Sequence, residues 1–240
     1  MTRVAILYSG SLRNLPETID NNLAHFEGME IDLYFSIWDY IGYVDHLNAP
    51  DHFRAKRLLK GDEIITPDLI KRIVPPNINI KAIKIESYNP DNYKIELVNG
   101  SSPNLNAQYY KIWDCFSLLK EIEYDLIVRL RCDILLNNKM DHSTLLKSLN
   151  DNKIIFASKI WFNHLRQGGY DINEMVWISK LDLMRKACNI YNNADKINQI
   201  ISSRNQTHKN YGENICCMNL EAEGIINNVS LFDFDYNVLR

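Results

Sequence analysis

Arg129, Arg131 and Asp133 occupy alternate positions in the apolar stretch EYDLIVRLRCDILL, residues 123–136. In an extended chain, side chains repeat every two residues. The three charges would then share one face, with Val128, Leu130 and Cys132 on the other. A charge in a buried strand costs several kcal/mol unless it is paired. Two chemistries satisfy that requirement. One is an internal Arg–Asp ion network that holds the sheet to a helix. The other is an anionic ligand with a divalent cation, in which Asp133 gives one hard oxygen to Mn²⁺ or Mg²⁺ while diphosphate oxygens and water complete the shell.

Two further short segments carry groups of the same kind. Ser9-Gly10-Ser11-Leu12-Arg13 ends an apolar run with small residues that let backbone amides approach a ligand, and Arg13 has the fork geometry to bind a phosphate. Trp38-Asp39 ends a second apolar run.

These residues need elements to bring them together. RVAILYS (3–9) reads as a buried first strand, and Asn14, Pro16 and Glu17 signal a helix start before ETIDNNLAHF. IDLYFSIWD (31–39) is a second strand. Thr66-Pro67-Asp68 opens a short helix ending before Pro75-Pro76, and INIKAIKIES (78–87) alternates as a third strand. The polar stretch 88–104 is a loop. Tyr109, Ile112, Trp113, Phe116 and Leu119 fall at helical spacing between 103 and 121, leading into 123–136 as one central strand. Asp141 caps HSTLLKSL, KIIFAS (153–158) and EMVWIS (174–179) read as strands, and 180–201 favours helix. After a polar loop at 202–212, GENICCMNLEAEG forms a helix ending at Gly224, and IINNVSLFDFDY closes the pattern as a strand. Strands alternating with helices indicate an α/β fold with a mainly parallel central sheet flanked by helices. In such sheets ligands sit at the carboxyl ends of the strands. Ser9–Arg13, Trp38-Asp39 and Asp133 would all lie along that edge.

The 240 residues, 46% hydrophobic and 24% charged, suit one domain, with 1–140 as its binding half and 141–240 as its second half. A net charge of -3 without a basic cluster speaks against nucleic acid as a partner. No apolar run approaches the roughly 20 residues of a transmembrane helix, so a soluble, cytoplasmic protein is expected. Five cysteines without metal-type spacing are expected to be reduced and buried.

VAILYSGSLRN, IDLYFSIWD and YDLIVRLRCDILL, in that order over the first 140 residues, resemble GT-A-type glycosyltransferases of bacteria and large viruses. Those proteins carry an S-G-x-x-R turn, a strand ending in W-D, and R-x-R-x-D where others have D-x-D. The resemblance implies a GT-A-like (Rossmann-like) fold and a nucleotide-sugar donor whose diphosphate is tied to Mn²⁺ or Mg²⁺. It also implies transfer of the sugar, a hexose or pentose, to a glycan or other hydroxyl acceptor. By position, Ser9, Gly10, Ser11 and Arg13 would border the nucleotide, with Arg129 and Arg131 beside it. Trp38 and Asp39 would flank base or ribose, and Asp133 would ligate the metal. Arg131 and Cys132 stand where a full D-x-D would have its first two residues. The second half would supply the acceptor pocket, with Asp171, Glu174 and Glu213 as candidate catalytic bases. His164 and His208 are candidate helpers there. Of the aromatics around the suspected acceptor loop, Trp161 and Tyr170 are candidates to stack on a sugar, Phe162 lies beside them, and Trp177, inside an apolar run, is expected in the core. SGSLRNLP is also faintly similar to the first turn of sugar-phosphate nucleotidyltransferases, and a non-catalytic glycan-binding protein is the third reading.

Overall fold

The computed structural model describes residues 1–42, 63–93, 98, 102–120, 124–137, 141–157, 172, 175–204, 212–232 and 234–239. Among them a seven-stranded sheet runs through the molecule in the order β3-β2-β1-β4-β7-β6-β8. Its strands are β1 (Arg3–Gly10), β2 (Glu30–Trp38), β3 (Asn79–Glu86), β4 (Leu126–Leu130), β6 (Ile154–Ala157), β7 (Val176–Ser179) and β8 (Val229–Phe232). β3, β2, β1 and β4 are mutually parallel, and β6 is parallel to β8. Only β7 runs against its neighbours. The mainly parallel α/β architecture is therefore present.

Strand alternation sorts the core into two layers. Val4, Ile6 and Tyr8 of β1 and Leu126, Val128 and Leu130 of β4 face one side. There they meet α1 (Leu15–Ala24), α2 (Pro67–Ile73) and α4 (His142–Asn150). Ala5, Leu7 and Ile127 face the other, against α3 (Pro103–Ser117), α5 (Leu181–Cys188), α6 (Ala194–Ser203) and α7 (Gly212–Ala222). Helix starts follow local chemistry. Thr66 accepts from the Leu69 amide, Ser102 from Leu105 and Asp141 from Ser143, with proline at the first turn of α1, α2 and α3. α7 ends on Gly224, whose φ of 69° is the left-handed cap that glycine adopts without penalty. All five cysteines are buried, and none forms a disulfide among the described residues.

The stretch 123–136 is not one strand. β4 stops at Leu130, Arg131–Asp133 turn, and the chain resumes as β5 (Ile134–Leu136), which pairs antiparallel with β9 (Tyr236–Val238) in a separate two-stranded sheet. The alternate-position reading therefore holds only as far as Arg129, and Arg131 and Asp133 leave the sheet surface. α1 holds β5 in place through a stripe of buried polar residues. Thr18 Oγ1 donates to the Cys132 carbonyl at 3.0 Å. Asn22 donates to Ile134 O at 2.7 Å and accepts from the Leu136 amide at 3.1 Å, while His25 Nε2 lies 3.3 Å from Leu136 O. The predicted closing strand is likewise divided, into β8 and β9.

Candidate functional site

Because β3, β2, β1 and β4 are parallel, Glu86, Trp38, Gly10 and Leu130 all end at the same edge. A cleft of about 470 Å³ opens there. Ser9, Gly10, Ser11, Arg13, Trp38, Arg129, Arg131 and Asp133 all line it, so the structure brings the three sequence-predicted segments into one place.

The β1–α1 loop is shaped to present Arg13. Gly10 has φ 98°, and Arg13 itself lies in the left-handed region at φ 46°, which costs a non-glycine residue about 1 kcal/mol. The Arg13 amide donates to Ile41 O at 2.8 Å, tying this loop to the segment after β2. Gly42 packs so closely on it that a Cβ at position 42 would lie 2.2 Å from the Ser11 Cβ. Ser9 Oγ is buried at the cleft without a hydrogen-bond partner among the described residues.

Asp133 is 0% exposed and forked by two guanidinium groups. Arg13 Nη1 donates to its Oδ2 at 2.5 Å, Arg131 Nη2 to the same Oδ2 at 2.7 Å, and Arg131 Nε to Oδ1 at 3.0 Å. Burial alone would raise the carboxyl pKa. Arg131 and Arg13 outweigh it and hold the group down at about 2. Arg129 is buried at the end of β4 with its guanidinium carbon 4.9 Å from the centroid of Trp177, a cation–π contact within the core.

The donor set of the described residues does not fit a divalent cation. Both oxygens of the one carboxylate in the cleft already accept from arginines, and no cluster of three or more potential ligands exists among the described residues. A hard cation takes six or more oxygens, several of them usually carboxylate. Among the described residues, the charged side chains that line the cleft are three guanidinium groups and this one carboxylate.

The other flank is aromatic. Trp38 is buried and borders the cleft beside Tyr40 and Tyr88, whose ring centroids are 5.3 Å apart. Tyr88 packs on Trp38 at 5.2 Å. Beneath Trp38, the fully buried Lys111 places Nζ 4.3 Å from the indole centroid, 2.5 Å from Glu86 Oε2 and 3.3 Å from Ser36 Oγ. Burial pulls the Lys111 pKa below the usual lysine value, against the opposing pull of Glu86. Asp39 points to the turn after β3, accepting from Ser87 Oγ at 2.5 Å and the Tyr88 amide at 3.3 Å, and so positions Tyr88. Tyr40, Tyr88, Asn104 and Gln108 of the cleft wall were not singled out by sequence reasoning. The last two sit at the start of α3, where Ser102-Pro103 signalled a helix but not that its N-terminus meets the strand edge.

Asp171, Glu174, Trp161, Phe162, Tyr170, His164 and His208 lie outside the described residues. Glu213 belongs to the first turn of α7, and the preceding Gly212 lines the cleft and accepts from the Tyr109 hydroxyl at 3.3 Å. Trp177 is in the core, 1% exposed. No described helix is long and apolar enough to cross a membrane.

No protein-family model matches the chain, and no curated protein matches it in sequence. Its fold, however, is shared with solved glycosyltransferases. The galactosyltransferase LgtC, solved with donor and acceptor sugar analogues, superposes with a TM-score of 0.50 at 10% identity over 96% of this chain and 73% of that one. An active-site mutant of LgtC gives 0.51 at 11% identity, over 96% and 72%. Mouse xyloside xylosyltransferase 1 gives 0.52 at 10% identity, over 97% of this chain and 85% of that one. At such identities the likeness establishes the fold, a GT-A-like α/β architecture with its cleft at the strand ends.

Proposed function

We propose that this protein is a glycosyltransferase that moves a sugar from a nucleotide-diphosphate sugar to a hydroxyl acceptor, a glycan or glycoconjugate. The observation that carries the reading is the cleft itself. It gathers Arg13, Arg129, Arg131 and Asp133 at the ends of β1 and β4 and an aromatic wall at the end of β2, in a fold shared with glycosyltransferases. A diphosphate fits the cationic side, and a nucleobase fits against Tyr40 and Tyr88, both partly exposed beside Trp38. In the reaction the bond from the anomeric carbon to the diphosphate oxygen breaks with its electron pair on that oxygen. The acceptor oxygen forms the new bond and its proton passes to a carboxylate or to solvent. Asp171, Glu174 and Glu213 are our candidates for that carboxylate. The charge that develops on the leaving diphosphate is where fixed positive groups accelerate the step.

Incubation with UDP-, GDP-, CDP- and dTDP-sugars tests this reading. Release of the nucleoside diphosphate, with sugar appearing on an acceptor or on water, is expected with at least one donor. Formation of pyrophosphate from a sugar phosphate and a nucleoside triphosphate would identify a nucleotidyltransferase instead. Absence of both activities, with no nucleotide binding, would leave a non-catalytic glycan-binding protein.

A further inference from the structure

We infer that Lys111 is a positioning residue for base recognition: a buried cation beneath the aromatic wall that seats Trp38, and through it the Tyr88 ring against which the donor's base packs. The inference rests on the nucleotide-sugar reading and deepens it.

Lys111 lies on the side of α3 that faces the sheet, and none of its side chain is exposed. Its Nζ donates to Glu86 Oε2 at 2.5 Å and to Ser36 Oγ at 3.3 Å, and lies 4.3 Å from the Trp38 ring centroid. The carboxyl ends of β2 and β3 and the middle of α3 therefore meet at one ammonium group. The charges around it balance. Lys84 Nζ donates to Asp114 Oδ1 at 2.5 Å and lies 3.4 Å from Glu86 Oε1, while Ser36 Oγ donates to Asp114 Oδ2 at 2.5 Å. Two lysines thus stand against two carboxylates. A polar network whose members are all paired is rigid, because no member can move without leaving a buried group unpaired. The indole covers that network, and a cation fixed near the ring centre holds the ring's face toward it.

From Trp38 the arrangement runs outward to the cleft. Tyr88 packs on Trp38 with centroids 5.2 Å apart, while Tyr93 and Tyr110 pack on the same indole at 5.7 and 6.2 Å. Tyr88 is also fixed at its two ends. Its hydroxyl donates to Asn104 Oδ1 in the first turn of α3, and its amide donates to Asp39, whose own amide donates to the Glu86 carbonyl at 3.0 Å. Glu86 therefore reaches Tyr88 by two routes, its carbonyl through Asp39 and its carboxylate through Lys111 and Trp38. A base that stacks on a ring already held in place loses less on binding than one that must first order the ring. A network that only joined β3 to α3 would act on stability alone, so the two roles separate by ligand.

Titration calorimetry compares UDP, GDP, CDP and dTDP with inorganic pyrophosphate, which carries no base, on the unaltered chain, Lys111→Met and Asp114→Asn. Methionine keeps about the volume of the lysine stem and removes the charge. Lys111→Met should weaken the tightest nucleoside diphosphate about 10-fold and narrow the differences among the four bases, with the pyrophosphate Kd unchanged. Asp114→Asn disturbs the same network away from the indole, so it should lower the melting temperature and leave every Kd where it was. If Lys111→Met unfolds below the assay temperature, Lys111→Met combined with Glu86→Gln leaves no carboxylate without its lysine and carries the same test. Unchanged nucleoside diphosphate Kd values in Lys111→Met would overturn the inference and leave the nucleotide-sugar reading standing. So would an equal loss for every ligand, pyrophosphate included, or a matching loss in Asp114→Asn. Failure of all four nucleoside diphosphates to bind the unaltered chain would overturn that reading itself, and the inference with it.

Discussion

Asp133 is a buried carboxylate whose charge is stabilised by Arg131 and Arg13, and the acid side of the stability curve should register it. Its pKa falls from an ordinary 3.8 to about 2 on folding, so the unfolded chain takes up its proton first as the pH drops. The stabilisation, about 2 kcal/mol, is therefore complete above pH ~4, declines as the pH falls, and is gone below pH ~2. Urea denaturation of the protein and of Asp133→Asn should show a stability gap that narrows from pH ~5 to pH ~2. A gap constant over that range would mean that the ionised form of Asp133 contributes nothing to the fold. The residue types here were legible in the sequence, down to the requirement that buried charges find partners. What could not be read was which partner. Arg131 was two positions away and Arg13 stood 120 positions off in another segment, and only the parallel pairing of β1 with β4 makes them neighbours.

At the scale of elements, α1 shows why an apolar run can mislead about continuity. Residues 126–136 read as one apolar run broken only by charges because β4 is buried in the sheet and β5 packs again under α1. Hydrophobicity reports burial, not whether one strand or two supply it. Nor does a periodicity of two carry a direction, so the antiparallel course of β7 was invisible. The helix itself was read from Asn14, Pro16 and Glu17 ahead of ETIDNNLAHF, a signal that says nothing of what Thr18, Asn22 and His25 bond to. Their partners are backbone groups more than 100 residues away. Asn22→Ala strips the hydrogen bonds from a buried carbonyl and a buried amide of β5 at once and should cost about 2–3 kcal/mol. The same change at the exposed neighbour Asn21 should cost close to nothing. Equal losses at both positions in thermal or chemical denaturation would show that helix propensity, not the tie to β5, is what matters.

Across the whole molecule, the site depends on chain segments far apart in sequence. β9 completes the small sheet with β5, and the Leu239 amide donates to the Asp133 carbonyl at 2.8 Å. Tyr236, 2% exposed, joins the core on that side of the sheet. Removing residues 236–240 should cost at least about 2 kcal/mol from the lost Tyr236 burial alone. It should also loosen the 131–133 turn, so that nucleotide affinity drops together with the melting temperature. A truncated chain that binds as tightly as the whole would mean that α1 suffices to hold the turn. The net charge of -3 belongs to this scale too. It hid the cluster of arginines in the cleft, since a sum over the chain says nothing of where they converge.

The contact between Gly42 and Ser11 has a mechanical consequence. With no room for even one carbon between them, and the Arg13 amide bonded to Ile41, the loops after β1 and β2 behave as a single linkage and not as two independent flaps. The linkage joins the aromatic wall to the cationic floor at a fixed spacing. A ligand that bridges the two must match that spacing as it stands, so ligand length becomes a property the cleft selects for.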